Sequence, residues 1–389
     1  MKTTVWRLFF CQALINATMV GQVAMGALIG HSLSGDQALA TLPMAVQMTA
    51  VMAASIPASL IFGRCGRRTG FLVGALLSLL GSLTFAAGVW FQDFWLYNLG
   101  AVFAGCGWGI GQHYRFAAAE AAPPAWRPRA ISLVMAGPVL SALFGPEIVK
   151  HSYDLFAPTL FLGTYLVLAL LPLIGMVLLS GLDLPPPPPR TGARTPIPEI
   201  LRRPAFVAAA VAGLVAYGTM NLAMTATPLE MQLCGFSVGA AATVIQAHSL
   251  AMFAPGFVTG RLITRFGVMR VILAGSALTA ACVAVALLGR DFWHFIVALT
   301  LLGVGWNFMF VGATTLLATS HAPEERVRAQ AANEVIVFGT VACTAFLSGF
   351  VHHRYGWEVL NLTLLPPLVV AVALLAWQRM RMGRVQPAE

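Results

Sequence analysis

Charge is what this sequence has least of. Asp, Glu, Lys and Arg make up 10% of its 389 residues, against 58% hydrophobic ones, where a soluble domain carries about 25% charged residues. A water-soluble globule is thereby excluded, and lipid becomes the expected solvent. The six cysteines include no CxxC pair, so neither a disulfide framework nor a thiol metal knuckle is expected. No nucleophile–base pair, phosphate-cradling loop or hydrolytic metal constellation stands out either. The chain is therefore not read as an enzyme, and no resident cofactor is expected.

What is present in abundance is apolar sequence in long runs. Stretches of roughly 20 residues or more, enough to span about 30 Å of hydrocarbon as a helix, cover 5–30, 37–62, 69–91, 94–121, 128–150, 157–181, 205–229, 237–260, 269–289, 292–319, 328–351 and 355–378. The expectation is an all-α polytopic membrane protein of twelve transmembrane helices. The first run is too long for a signal-peptide core and is read as a retained helix. Basic residues set the orientation. With the N-terminus inside, the inner segments collect Lys2, Arg7, Arg64, Arg67, Arg68, Arg127, Arg129, Arg190, Arg194, Arg202, Arg203, Arg261, Arg265, Arg270, Arg326, Arg328, Arg379, Arg381 and Arg384, while the outer ends hold only Lys150, Arg290 and Arg354. That is the positive-inside pattern, with both termini cytoplasmic. It also accounts for the net charge of +9 through anionic lipid headgroups, so the bilayer is the expected partner and nucleic acid is not. A monomer is expected.

The chain repeats at an offset of about 198 residues. Asp93-Phe94-Trp95 returns as Asp291-Phe292-Trp293, and Gly105-Cys106-Gly107-Trp108 as Gly303-Val304-Gly305-Trp306. Pro124, Arg127, Arg129 and Ala130 match Pro323, Arg326, Arg328 and Ala329, while Gly63-Arg64 and Gly70 match Gly260-Arg261 and Gly267. Two six-helix halves in parallel repeat follow: residues 1–182, a proline-rich cytoplasmic linker at 183–204 expected to run extended through Pro185 to Pro189, and residues 205–389. The segment Gly63-Arg64-Cys65-Gly66-Arg67-Arg68-Thr69-Gly70, between helices two and three, resembles the glycine/arginine loop of the major facilitator superfamily, without its usual acidic member. That resemblance implies the major facilitator fold and a secondary transporter.

Polar and sulfur groups at bilayer depth are costly and point to a cavity. Met220 and Met224 share one face of helix seven, and His248 and Met252 one face of helix eight. From the 1.5 Å rise per residue they lie roughly 8 Å (Met224), 14 Å (Met220), 17 Å (His248) and 23 Å (Met252) below the outer surface. Three thioethers and an imidazole form a soft donor set suited to Cu(I). A methionine pair is equally ordinary helix packing, and a membrane histidine an ordinary polar bridge.

The stretch Met220-Asn221-Leu222-Ala223-Met224-Thr225-Ala226-Thr227-Pro228-Leu229-Glu230-Met231, followed by Gln246-Ala247-His248-Ser249-Leu250-Ala251-Met252-Phe253-Ala254-Pro255, resembles the CcoA-type copper importers. These are major facilitator proteins of bacteria that supply copper for assembly of cbb-type cytochrome oxidase. The resemblance implies that Met220, Met224, His248 and Met252 bind copper as cargo in the inner membrane. Relatives on the same scaffold import riboflavin. That leaves the alternative of an organic solute stacked on aromatic groups such as Trp108, Tyr114, Trp306 and Phe308.

Secondary candidates are Met44 and Met48, which with Met52, Met19 and Met25 form either a soft relay or core packing, and Cys234, a possible hand-over thiol. Arg115, Glu120, Arg127 and Arg129 are expected to cluster as ion pairs of a cytoplasmic gate. Glu147, beside Lys150, and Glu334 are the candidate proton carriers.

Overall fold

The computed structural model describes residues 2–123, 130, 133–182, 184, 196–318, 320–321 and 325–385. Among these the regular structure is entirely helical: α1 (Lys2–Ser34), α2 (Leu42–Trp90), α3 (Phe94–Gly111), α4 (Tyr114–Glu120), α5 (Gly137–Ser152), α6 (Leu162–Ser180), α7 (Ile197–Leu201), α8 (Pro204–Leu233), α9 (Val238–Phe253), α10 (Gly256–Phe266), α11 (Val268–Leu288), α12 (Phe292–Ala318), α13 (Arg326–Leu362) and α14 (Leu365–Val385). Eight of the described helices are long and apolar enough to cross a membrane, or up to ten if two bent pairs each count as one span. The long apolar stretch Arg328–Trp377 contains two of the twelve expected spans. Phe94–Gly111 corresponds to another, though glycine and polar residues thin its apolar character.

The boundaries depart from the expected spans where glycine or proline breaks the backbone. Runs 37–62 and 69–91 join as α2 across Gly66, at φ 81° and ψ 164°. The last two runs meet in α13 at Gly356, at φ 83° and ψ 178°. The expected span 237–260 is split at Ala254-Pro255 into α9 and α10, bent by 42°. Span 94–121 likewise divides into α3 and α4.

The repeat has physical content in each half. Asp93 caps α3, its carboxylate accepting from the Trp95 and Leu96 amides, which explains the need for an acidic residue before Phe-Trp. The second glycine of each Gly-x-Gly-Trp motif is a helix contact. A Cβ on Gly107 would stand 2.2 Å from Ser78 Oγ and 2.6 Å from the Gly74 carbonyl oxygen, and one on Gly305 2.6 Å from Thr279 Oγ1 and 2.9 Å from the Gly275 carbonyl oxygen. One correction follows. The sequence pairs Gly70 with Gly267, but the residue sharing Gly267's backbone (φ 84°, ψ 148°) is Gly66, in a region open essentially to glycine alone. Gly305→Val is expected to abolish the monodisperse peak in detergent size-exclusion, because besides Thr279 Oγ1 the added Cβ meets the Gly275 carbonyl oxygen at 2.9 Å, a backbone atom that no rotamer moves away. Valine at Gly260, which has open space around it, should leave the peak intact.

The chain packs as two compact units, one of residues 1–189 with 225–250 and the other of 190–224 with 251–389. In the first, α2 packs with α3 and α6, and α1 with α5 and α6. In the second, α11 packs against α12, and Ile200, Phe206, Ala209, Ala210, Leu317 and Ala329 form a buried cluster.

That cluster corrects the expected linker. Pro185–Pro189 lies outside the described residues, but 197–201 is helical, not extended. Pro198 in its first turn has no N–H for the helix to satisfy, and Ile200 is buried. Just beyond, the Arg203 guanidinium grips Glu325 through both nitrogens, at 2.5 and 2.9 Å, which raises the Arg203 pKa further. Glu325→Gln is expected to lower the unfolding temperature more than Glu199→Gln. The Glu325 side chain is 11% exposed, whereas Glu199 is 63% exposed and 3.7 Å from the same arginine.

Candidate functional site

In the second unit the aromatic residues converge. Trp306 and Phe310 are four apart on α12 and so share a face. Their rings stack at 5.0 Å and 12°. Tyr217 of α8 stands edge-on to both, 5.2 Å from each centroid. Phe253 closes on Trp306 at 6.0 Å, and Phe338 of α13 on Tyr217 at 5.9 Å. Trp306 is buried, and its indole N–H meets no acceptor among the described residues. A buried donor of that kind costs free energy until something accepts from it. The cluster is therefore a packed aromatic wall that carries one indole N–H with no acceptor among the described residues. Phe308 lies on the opposite face of α12 by the helical period.

Around this cluster the helices are pinned by polar side chains. Asn221 of α8 donates to the Val341 carbonyl at 3.1 Å and to Thr344 Oγ1 at 3.2 Å, and Ser348 Oγ donates to the Leu222 carbonyl. At the α9/α10 break Asn307 Nδ2 donates to the Met252 carbonyl at 2.6 Å, while Thr259 Oγ1 bonds Asn307 Oδ1 at 2.6 Å. Pro255 crowds the preceding turn and ends the α9 ladder, so the Met252 carbonyl, which in an unbroken helix would accept from the Gly256 amide, accepts from Asn307 Nδ2 instead.

The four soft donors are all buried. Met220, Met224 and Met252 belong to the second unit and His248 to the first. Among the described residues no three His, Cys, Asp or Glu side chains gather as a metal site. Cys234 is exposed, with its sulfur 3.8 Å from a carboxylate oxygen of Glu230. Glu230 itself is only 3% exposed. Sequence reading passed over this buried carboxylate although it stands within the quoted helix-seven stretch.

In the first unit Met44 and Met48 are buried in the core, and the Met19 sulfur accepts a hydrogen bond from Gln47 Nε2 at 3.2 Å. Trp108 donates to Asn16 Oδ1 at 3.3 Å. Tyr114 is fully buried, edge-on to Phe71 at 4.7 Å.

Of the expected gate residues, Arg115 and Glu120 are among the described ones. Glu120 pairs with Arg67 at 2.5 Å. This partner comes from the glycine/arginine loop, one residue after the Gly66 break. Arg115 lies with its guanidinium 4.9 Å over the Phe116 ring, and Arg127 and Arg129 lie outside the described residues. Glu147 accepts from Lys150 at 2.5 Å and from Gln246 of α9 at 3.1 Å, and Gln246 also donates to the Leu143 carbonyl. Glu334 is partly exposed on α13.

Comparison with known proteins agrees with this architecture. The family profile of the Major Facilitator Superfamily matches residues 8–258 and 209–388. The riboflavin transporter RfnT of Brucella anthropi is 40% identical over 356 residues, 90% of this chain and 89% of the relative. The uncharacterized MFS-type transporter YdeG of Bacillus subtilis is 27% identical over 396 residues, 95% of this chain and 91% of the relative. Among solved structures, a POT family transporter in complex with 5-aminolevulinic acid superposes with a TM-score of 0.78 at 14% identity, over 98% of this chain and 96% of that one. The transporter FucP in the outward conformation gives 0.65 at 14% identity, over 97% and 99%. Helical content, internal repeat and family match converge: the chain belongs to the major facilitator superfamily and is a membrane-embedded secondary transporter.

Proposed function

We propose that the chain imports a planar organic solute of the riboflavin class across the bacterial inner membrane. The observation that carries this reading is the Tyr217, Phe253, Trp306 and Phe310 cluster with its unspent indole N–H. An isoalloxazine ring presents a stacking face and carbonyl acceptors at its edge, the two things such a cluster rewards. The 40% identity to a riboflavin transporter over nine-tenths of the chain supports the same cargo. Two six-helix halves, 1–182 and 205–389, joined by the 183–204 linker with both termini cytoplasmic, remain the proposed organisation.

A second reading has its own observation: Met220, Met224, His248 and Met252 are buried, as donors for Cu(I) import toward oxidase assembly would be. The two are separated by one experiment. Labelled riboflavin and copper are offered in parallel to cells expressing the chain, in a host unable to take up riboflavin. Saturable riboflavin uptake without copper accumulation above the empty-vector control is expected. Copper accumulation without riboflavin uptake would reverse the assignment.

A further inference from the structure

We propose that the outward face of α10, in the second unit, binds one anionic phospholipid of the cytoplasmic leaflet, its phosphate held by Arg261 and Arg265 and an acyl chain lying along Phe257. Thr259 is the one buried residue of α10, and its hydroxyl bonds Asn307 Oδ1 at 2.6 Å. That contact fixes how the helix is rotated. Phe257, Arg261 and Arg265, at i, i+4 and i+8, then form a single row on the side away from Thr259. All three are exposed, Phe257 to 63%, and Val258 beside it is also exposed.

The positive charge of this row is not answered from within the unit. Among the described residues no carboxylate comes within ion-pair distance of Arg261, Arg265 or Arg270, the last in the first turn of α11, while Glu199 and Glu325 are taken by Arg203. Arg265 lies 5.2 Å over the Phe266 ring. The first unit handles the matching place differently. There the Gly66 break is followed by Arg67, and Arg67 is held by Glu120. The second unit has neither member of that pair: Val268 follows Gly267, and the repeat offset of 198 puts Ala318 where the first half has Glu120. The arginines are left for an external anion. The row also selects which anion. By the 1.5 Å rise, Arg261 lies about 6 Å and Arg265 about 12 Å along the axis from Phe257, so a ligand that follows the row is apolar at one end and anionic at the other. A phospholipid has that form, whereas a free phosphate or an acidic peptide does not. With the N-terminus inside, α10 runs toward the cytoplasm, which leaves Phe257 among the acyl chains and brings the guanidinium forks to phosphate oxygens. Headgroup attraction shared by all the inner arginines is diffuse; a fixed row adds one local, stoichiometric site.

The test is native mass spectrometry of the delipidated full-length protein, titrated with dioleoylphosphatidylglycerol, with dioleoylphosphatidylcholine, which has the same chains and no net charge, and with soluble glycerol 3-phosphate. One phosphatidylglycerol adduct is expected at concentrations where phosphatidylcholine gives none, and excess glycerol 3-phosphate should leave it in place. Arg261→Gln combined with Arg265→Gln should weaken that adduct about 30-fold, at about fivefold for each guanidinium. Arg64→Gln combined with Arg68→Gln removes the same charge from the first unit, where the Gly66 break separates the two positions, and should keep the affinity within about twofold, since it touches only the diffuse field. Equal affinity for the two lipids in the unmodified protein, which needs no variant to fold, would overturn the proposal. So would an equal loss in the two double variants, which would reduce the effect to overall charge. Displacement of the adduct by glycerol 3-phosphate would overturn it as well, in favour of a site for soluble anions. None of these outcomes depends on the transported solute.

Discussion

Trp306→Ala is expected to weaken riboflavin binding by about 5- to 150-fold, because stacking of a planar heterocycle on an aromatic side chain is worth about 1–3 kcal/mol. The substitution also removes the buried indole N–H, so the loss should fall toward the upper end of that range. Trp306→Phe separates the two contributions: it keeps a stacking face beside Phe310 and loses only the donor, for an expected drop of about 2- to 12-fold. Equilibrium titration by flavin fluorescence gives both numbers. If the phenylalanine variant is as damaged as the alanine one, the indole nitrogen is the determinant and the stacking argument fails. If neither moves, the cluster is packing.

The second large expected effect is a dissociation of two phenotypes. Met220→Leu combined with His248→Leu removes one thioether and the only imidazole of the soft set while nearly conserving apolar volume. Riboflavin uptake in this double variant is expected to stay within about threefold of the unmodified chain, a tolerance set by roughly 0.7 kcal/mol of repacking. Under the copper reading the same variant would lose metal accumulation almost completely, since two-coordinate thioether binding is far weaker than four-donor binding. Measuring both cargoes in one strain by scintillation and elemental analysis decides the matter in either direction.

The architecture was legible because lipid leaves the backbone few options. Each span must satisfy its own hydrogen bonds and exceed a fixed length, so apolar run length and the positions of glycine and proline carry most of the fold. Helix breaks were less legible. Pro255 was visible as a residue, but not that α9 ends two residues before it, and the positive φ of Gly66 and Gly267 leaves no trace in composition. The partner of Glu120 was sought among its neighbours in the chain, whereas Arg67 is delivered by the preceding loop. For the cargo, attention to sulfur and ionisable groups favoured Met220, Met224, His248 and Met252. Trp306 was noticed through the repeat, but its neighbours Tyr217 and Phe253 come from other helices, and no spacing rule connects them to it.

The break at Pro255 makes two distant positions hostage to one another. Asn307 holds the Met252 carbonyl only because proline has taken the helix apart there. A chain that replaced Pro255 with alanine could rebuild the regular turn and would then tolerate leucine at 307, whereas leucine at 307 alone strands a buried carbonyl. The order in which these substitutions arrive would therefore matter: lineages of this transporter can straighten the helix first and lose the asparagine afterwards, but the opposite route passes through a poorly folding intermediate.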